Sequence, residues 1–131
     1  MRTVSISTLP EATDALLGRI IGCAITVHRE LGPGFLESAY EKALRVALKH
    51  RGINFACQRV IEIVFEGVIV GSARVDLIIE DRLIVELKAV EAINPVHFAQ
   101  LRSYLKATGL HVGLLLNYNK PKLDIRRVIL D

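Results

Sequence analysis

Arg74-Val75-Asp76-Leu77-Ile78-Ile79-Glu80-Asp81-Arg82-Leu83-Ile84-Val85-Glu86-Leu87-Lys88-Ala89 reads as two strands joined by a short polar turn. A three-residue loop, Glu80-Asp81-Arg82, sets Ile79 opposite Leu83. Leu77 then faces Val85 and Val75 faces Leu87, so one side of the hairpin is apolar throughout. On the other side Ile78 faces Ile84, Asp76 faces Glu86 and Arg74 faces Lys88. A slip of one residue pairs Val75 with Glu86 and Asp76 with Val85, which scrambles both faces. The hydrophobic pattern therefore selects the register that brings two carboxylates together.

That pairing works against stability, because like charges directly opposite on a sheet repel. Lys88 follows Glu86 by two residues, on the same face and ~6–7 Å along the strand. One ammonium neutralises one carboxylate, and the remaining charge is what a hard divalent cation takes. The alternative is a solvated face with Arg74 and Lys88 as counter-charges, each pair worth under ~1 kcal/mol.

Outward toward the C-terminus, Asn94 reads as an N-cap, Pro95 as the first helical residue and Gly109 as the residue past the helix end. His97, Gln100 and Tyr104 form a polar stripe on this helix, and Phe98, Leu101 and Leu105 an apolar one. A strand leading straight into a helix can bring that stripe near the strand's carboxylates, although for His97 a capping or exposed position is the favoured reading. Val112 to Leu116 is a wholly apolar run, as in a strand buried on both faces, and Ile125 to Leu130 reads as a small edge strand.

Toward the N-terminus, Val68 to Ile79 continues the hairpin's first strand, with Gly71 as a candidate bulge. Glu66-Gly67 is a turn, and Val60 to Phe65 is the strand before it. Earlier still, one helix runs from Pro10 to Leu31, with Thr8 as a candidate cap and Leu16, Ile20, Cys23, Val27 and Leu31 on its buried face. Gly32-Pro33-Gly34 breaks it. A second helix extends from about Phe35 to Arg51, with Leu36, Ala39, Tyr40, Ala43 and Ala47 on one side. The order predicts one α/β domain over residues 1–131 with a mixed sheet.

The composition agrees. Of 131 residues, 51% are hydrophobic and 24% charged, which excludes a disordered or repetitive chain. No apolar run approaches the ~20 residues of a membrane span, and Met1 to Pro10 has no unbroken apolar core of a signal peptide, so the expected location is the cytoplasm. Cys23 and Cys57 have no CxxC spacing and read as two reduced, half-buried thiols. The net charge of +3 is unevenly spread: +2 over residues 1–57, −3 over 58–91 and +4 over 92–131. An acidic centre between basic flanks suits a cation site acting on a polyanion, or equally an ordinary solvated surface. There is no glycine-rich phosphate loop, HExxH, Ser-His-Asp pattern or zinc-finger spacing.

Asp76 followed by Glu86-Leu87-Lys88 on the next strand resembles the active-site signature of the PD-(D/E)XK nuclease superfamily. Gly34-Phe35-Leu36-Glu37-Ser38-Ala39-Tyr40 resembles the motif that names its GxxExxY branch, and the run Val27 to Gly34 and the helix His97 to Leu105 are similar as well. Together they span roughly residues 20–130. The resemblance implies a PD-(D/E)XK nuclease-like core of helix, three-strand meander, helix and strand, in a mixed sheet flanked by helices, with an extra N-terminal helix. It implies a Mg²⁺ site, with Mn²⁺ as the alternative ion, held by Asp76, Glu86, the Leu87 carbonyl and Glu37. Lys88 would act on the attacking water, with Gln100 and Tyr104 in support. Val75 stands where the motif has proline.

Each of these residues has an ordinary reading by itself: Glu37 as a first-turn acid favoured by the helix dipole, Tyr40 as core, Gln100 as surface, Asp76 as a partner of Arg74 or Lys88. Their joint placement leaves the ordinary reading and a metal site evenly matched, and the resemblance implies a metal-dependent phosphodiesterase cutting nucleic acid, DNA ahead of RNA. The alternatives are a catalytically silent nucleic-acid-binding or protein-interaction module on the same fold, and a structural subunit that binds cation for stability. Lys120, Lys122, Arg126 and Arg127 are candidate phosphate contacts, and a homodimer would suit the cutting of two strands.

Overall fold

A computed structural model describes residues 9–130. The elements run α1 (Glu11–Leu31), α2 (Glu37–His50), β1 (Phe55–Phe65), β2 (Val68–Ile79), β3 (Leu83–Lys88), α3 (Pro95–Thr108), β4 (Val112–Asn117) and β5 (Asp124–Ile129). The five strands form one sheet in the order β1-β2-β3-β4-β5. All neighbouring pairs are antiparallel except β3 and β4, which are parallel and joined by the α3 crossover. This is the α/β architecture with a mixed sheet that the sequence predicts.

Two apolar clusters lie on the two sides of the sheet. Leu77, Ile79, Leu83, Val85, Leu87, Leu114 and Leu116 pack with α1 and α2. Ile78, Ile84, Leu115 and Val128 pack with Leu101 and Leu105 of α3. Residues such as Leu17, Ile20, Leu44 and Leu87 are removed from water almost completely, each worth ~1.5–3 kcal/mol relative to exposure. β4 is buried along its whole length, as its unbroken apolar run requires.

Several boundaries and faces depart from expectation. α1 is capped by Pro10, whereas Thr8 lies outside the described residues. Its predicted face is buried except at Leu31, next to the Gly32 break. α2 starts at Glu37, two residues late; Leu36 is its N-cap and is 79% exposed. Its buried face is Tyr40, Glu41, Leu44, Ala47 and Leu48, because the helix is rotated from the predicted alanine-rich stripe to bring its leucines inward. β1 begins five residues earlier than the β-rich run, at Phe55. Neither cysteine is half-buried: Cys23 on α1 lies fully inside the core and Cys57 is exposed on β1, and both are free.

The β2–β3 hairpin keeps the predicted register: Ile79 pairs with Leu83, Ile78 with Ile84 and Leu77 with Val85. Beyond Leu77 the expected ladder does not continue. Val75 joins the α3-side cluster with Ile78, whereas Leu87 joins the opposite cluster, so the two do not share a face. Nor does Arg74 pair with Lys88; it pairs with Val60 of β1. The cause is a break in alternation at Asp76, opposite which Gln58 has φ 51°.

β1 and β2, at 11 and 12 residues, are about twice the length of the other strands. Their far end turns through Glu66 (φ 49°) and Gly67 (φ 78°), as in a two-residue hairpin loop, and a register shift at Ile63/Val64 lies opposite Gly71. Val64, Phe65, Val68, Ile69 and Val70 there are exposed.

Candidate active site

Where the β2–β3 ladder ends, side chains take over the bonding. The Asp76 N–H donates to Glu86 Oε2 at 2.8 Å, and the Leu87 N–H donates to Asp76 Oδ2 at 2.9 Å. Each carboxylate thus accepts a backbone donor from the opposite strand. The two acids stand together as the pattern predicts, but held by crossed side-chain bonds rather than as a ladder pair.

Glu86 is only 4% exposed. Burial pushes its carboxyl up to about 8; the Asp76 charge adds to the shift, and so does Glu37. The Asp76 amide bond and the Lys88 ammonium oppose it. Glu37, the first residue of α2, is exposed where the helix dipole favours an acid. It adds to the Glu86 shift as the weakest of the charges acting there.

Lys88 Nζ donates to Gln100 Oε1 at 3.1 Å, so the third helix does bring its glutamine to the strand lysine. Tyr104, one turn further, is half-buried; burial raises its hydroxyl's pKa, followed by the Glu86 and Asp76 charges. His97 is occupied by the helix start: its Nδ1 accepts the Asn94 N–H at 3.1 Å, and Asn94 Oδ1 accepts the Val96 N–H at 3.1 Å. Pro95 and Gly109 also take their predicted places.

Two residues at this site escape the sequence reading. Glu41, one turn after Glu37 on α2, is buried, and its carboxyl is pushed up by burial first and Asp76 second. The Gln58 amide donates to Glu41 Oε1 and also to Asp76 Oδ1, the latter at 3.3 Å. Glu41 carries a signal, since it repeats the acid of Glu37 at helical spacing. Gln58 carries none.

The surrounding frame is tightly bonded. Tyr40 is buried, stacks on Tyr118 at 4.5 Å, donates its Oη to the Gly32 carbonyl at 2.6 Å and accepts the Phe35 N–H at 3.1 Å. It therefore fastens the Gly32–Gly34 break, where both glycines have positive φ, to the Phe35-Leu36 entry of the helix that begins at Glu37. This agrees with the core reading of Tyr40. Asn117 at the end of β4 accepts the Val90 N–H and donates to the Val90 carbonyl, holding the segment between Lys88 and α3. Of the four candidate phosphate contacts, Arg126 is paired with Asp124 at 2.7 Å. Lys120 and Lys122 follow β4 at the sheet end where Asn117 pairs with Lys88.

Hard oxygen donors are the right chemistry for Mg²⁺, which keeps several waters and takes one or two carboxylates plus substrate phosphate. Asp76 and Glu86 with adjacent peptide groups fit that demand. Among the described residues no group of three or more His, Cys, Asp or Glu side chains stands close enough together to hold a metal by itself. A surface cavity of about 740 Å³ between β1 and the end of α3, lined by Arg59, Val60, Ala107 and Leu110 among others, contains none of Asp76, Glu86 or Lys88.

A family model for the PD-(D/E)XK nuclease superfamily matches residues 14–128. The chain belongs to the PD-(D/E)XK nuclease superfamily. Its members generally use divalent metals. Among solved structures, this superfamily chain resembles an alkaline exonuclease from Laribacter hongkongensis, at 14% identity and TM-score 0.54, covering 98% of this chain and 78% of that one. The same exonuclease in complex with dAMP matches at 14% identity and TM-score 0.56, covering 96% and 73%. The crystal structure of SSO0001 matches at 20% identity and TM-score 0.57, over 71% of this chain and about half (49%) of the other. These likenesses confirm the PD-(D/E)XK fold. No curated protein matches the sequence significantly.

Proposed function

We propose that the protein is a Mg²⁺-dependent nuclease that hydrolyses phosphodiester bonds of nucleic acid, DNA ahead of RNA, and that it belongs to the GxxExxY branch of its superfamily. The observation that carries this reading is the crossed Asp76–Glu86 pair, beside Lys88 held by Gln100. Asp76, Glu86 and the Leu87 carbonyl would hold the ion, with Glu37 as the additional acid at the start of α2. A divalent ion there supplies charge neutralisation on the phosphoryl oxygens and lowers the pKa of the attacking water. Lys88 orients that water and offsets the negative charge that develops on the phosphoryl group. Gln100 keeps the ammonium in place. Lys120, Lys122 and Arg127 would meet neighbouring phosphates, which makes binding salt-sensitive. The dAMP held by the exonuclease with this fold supports a deoxynucleotide polymer.

A catalytically silent nucleic-acid-binding module is the second reading. One observation favours it: Asp76 and Glu86 already satisfy each other's strands, and no three-acid group gathers among the described residues. Incubating the protein with single- and double-stranded DNA and RNA, in Mg²⁺, Mn²⁺ or EDTA, separates the two. Metal-dependent cleavage that Glu86→Ala abolishes supports the nuclease. Retention of nucleic acid without cleavage under any metal supports the silent module.

A further inference from the structure

We propose that Gln58 is a positioning residue for the ion-binding carboxylates: its side-chain amide, anchored on Glu41, fixes the orientation of Asp76. The inference rests on the metal-site reading given above. Three observations lead to it.

The first is the backbone. Gln58 has φ 51°, a conformation that L side chains rarely adopt, yet it lies inside β1. The other non-glycine residues with positive φ among the described ones, Glu66, Glu80 and Asp81, all sit in turns. Pairing of β1 with β2 passes from Cys57–Leu77 to Arg59–Val75, leaving Gln58 opposite Asp76 without a ladder pair. Strain of this kind persists only where its surroundings enforce it, and it concentrates at functional sites.

The second is the bonding. Gln58 Nε2 donates to both Glu41 Oε1 and Asp76 Oδ1. Since Asp76 Oδ2 accepts the Leu87 N–H, both oxygens of Asp76 are held, one by β3 and one by β1. A carboxylate gripped at both oxygens cannot rotate, yet each oxygen keeps lone-pair capacity for an ion. Neighbours that orient ligands in this way contribute substantially to metal affinity.

The third is Glu41. It is 9% exposed and lies close enough to Asp76 for the two charges to repel. Arg45 reaches it only at 3.9 Å. The Gln58 amide is the donor placed between the two carboxylates, so Glu41 acts on the site through Gln58.

Mn²⁺ titration calorimetry on the full chain tests this with Gln58→Gly, Gln58→Asn, Glu41→Gln and Asp76→Ala. Glycine adopts the positive φ freely and lacks the amide, and asparagine tolerates the same φ but is one methylene shorter, so both variants should fold with unchanged circular dichroism. Both are expected to bind Mn²⁺ ~10–100-fold more weakly than the parent. Glu41→Gln still offers an acceptor to the amide and is expected to stay closer to the parent than to Gln58→Gly. Parental affinity in folded Gln58→Gly overturns the inference alone. So does a Glu41→Gln loss equal to that of Asp76→Ala, which would make Glu41 a direct ligand. Absence of Mn²⁺ binding by the parent chain overturns the metal-site reading and this inference together.

Discussion

Burial and the facing Asp76 charge hold the Glu86 carboxyl protonated up to about pH 8, against an ordinary value of 4.5. The folded chain therefore binds more protons than the unfolded chain across that interval, and stability must fall as pH rises through it. Without metal, this contribution is fully present below about pH 4.5 and is lost by about pH 8, a change on the order of a few kcal/mol. Urea unfolding in EDTA at pH 5.5 and 8.5 should show the more alkaline sample to be the weaker, and Glu86→Gln should flatten the difference. Mg²⁺ should restore stability more at pH 8.5, where the carboxylate is charged; equal stabilisation at both values would contradict the assignment. The meeting of Asp76 and Glu86 is legible in the sequence because the apolar pairs Leu77–Val85, Ile78–Ile84 and Ile79–Leu83 fix the hairpin register beside them, although alternation breaks at Asp76 itself. Gln58 is not, because its role depends on a backbone kink that no glycine, asparagine or turn signal announces.

At the scale of elements, α2 shows how the candidate acid Glu37 is placed by its neighbours. The Tyr40 hydroxyl joins the Gly32 carbonyl to the Phe35 N–H and so fixes the entry to the helix that begins at Glu37. Tyr40→Phe leaves both backbone groups unpaired and is expected to cost ~1–3 kcal/mol in urea unfolding. α3 closes onto the sheet at Gly113, where an added Cβ would lie 2.8 Å and 2.9 Å from the Leu101 Cδ atoms and 3.0 Å from its Cγ. Gly113→Ala should destabilise by ~1–3 kcal/mol through overpacking, measured in the same way. The caps of α3 and the core of the β2–β3 hairpin were readable because local chemistry dictates them. The buried face of α2 was not, since Ala39 and Ala43 mark one stripe and Leu44 and Leu48 another, and only packing against α1 and the sheet decides between them.

Over the whole molecule, the carboxylates gather where the β2–β3 ladder opens, with α2 on one side and the Gln100 face of α3 on the other. No helix among the described residues is long and apolar enough to cross a membrane. The far end of the β1–β2 hairpin packs on neither cluster, and Phe65 there is 63% exposed. Phe65→Lys is therefore expected to change unfolding free energy by no more than ~0.5 kcal/mol. The expected homodimer is tested by sedimentation of the same variant: a lower mass than the parent would locate an interface on that hairpin. The central claim, that Asp76, Glu86 and Lys88 form a metal-dependent phosphodiesterase site, is tested most directly by one comparison. It is the rate of Mg²⁺-dependent DNA cleavage by the parent chain and by folded Lys88→Ala. The expected result is cleavage that EDTA abolishes and that falls ~10²–10³-fold without the lysine charge. Equal rates in the two proteins, or no cleavage by the parent with any divalent ion, would contradict it.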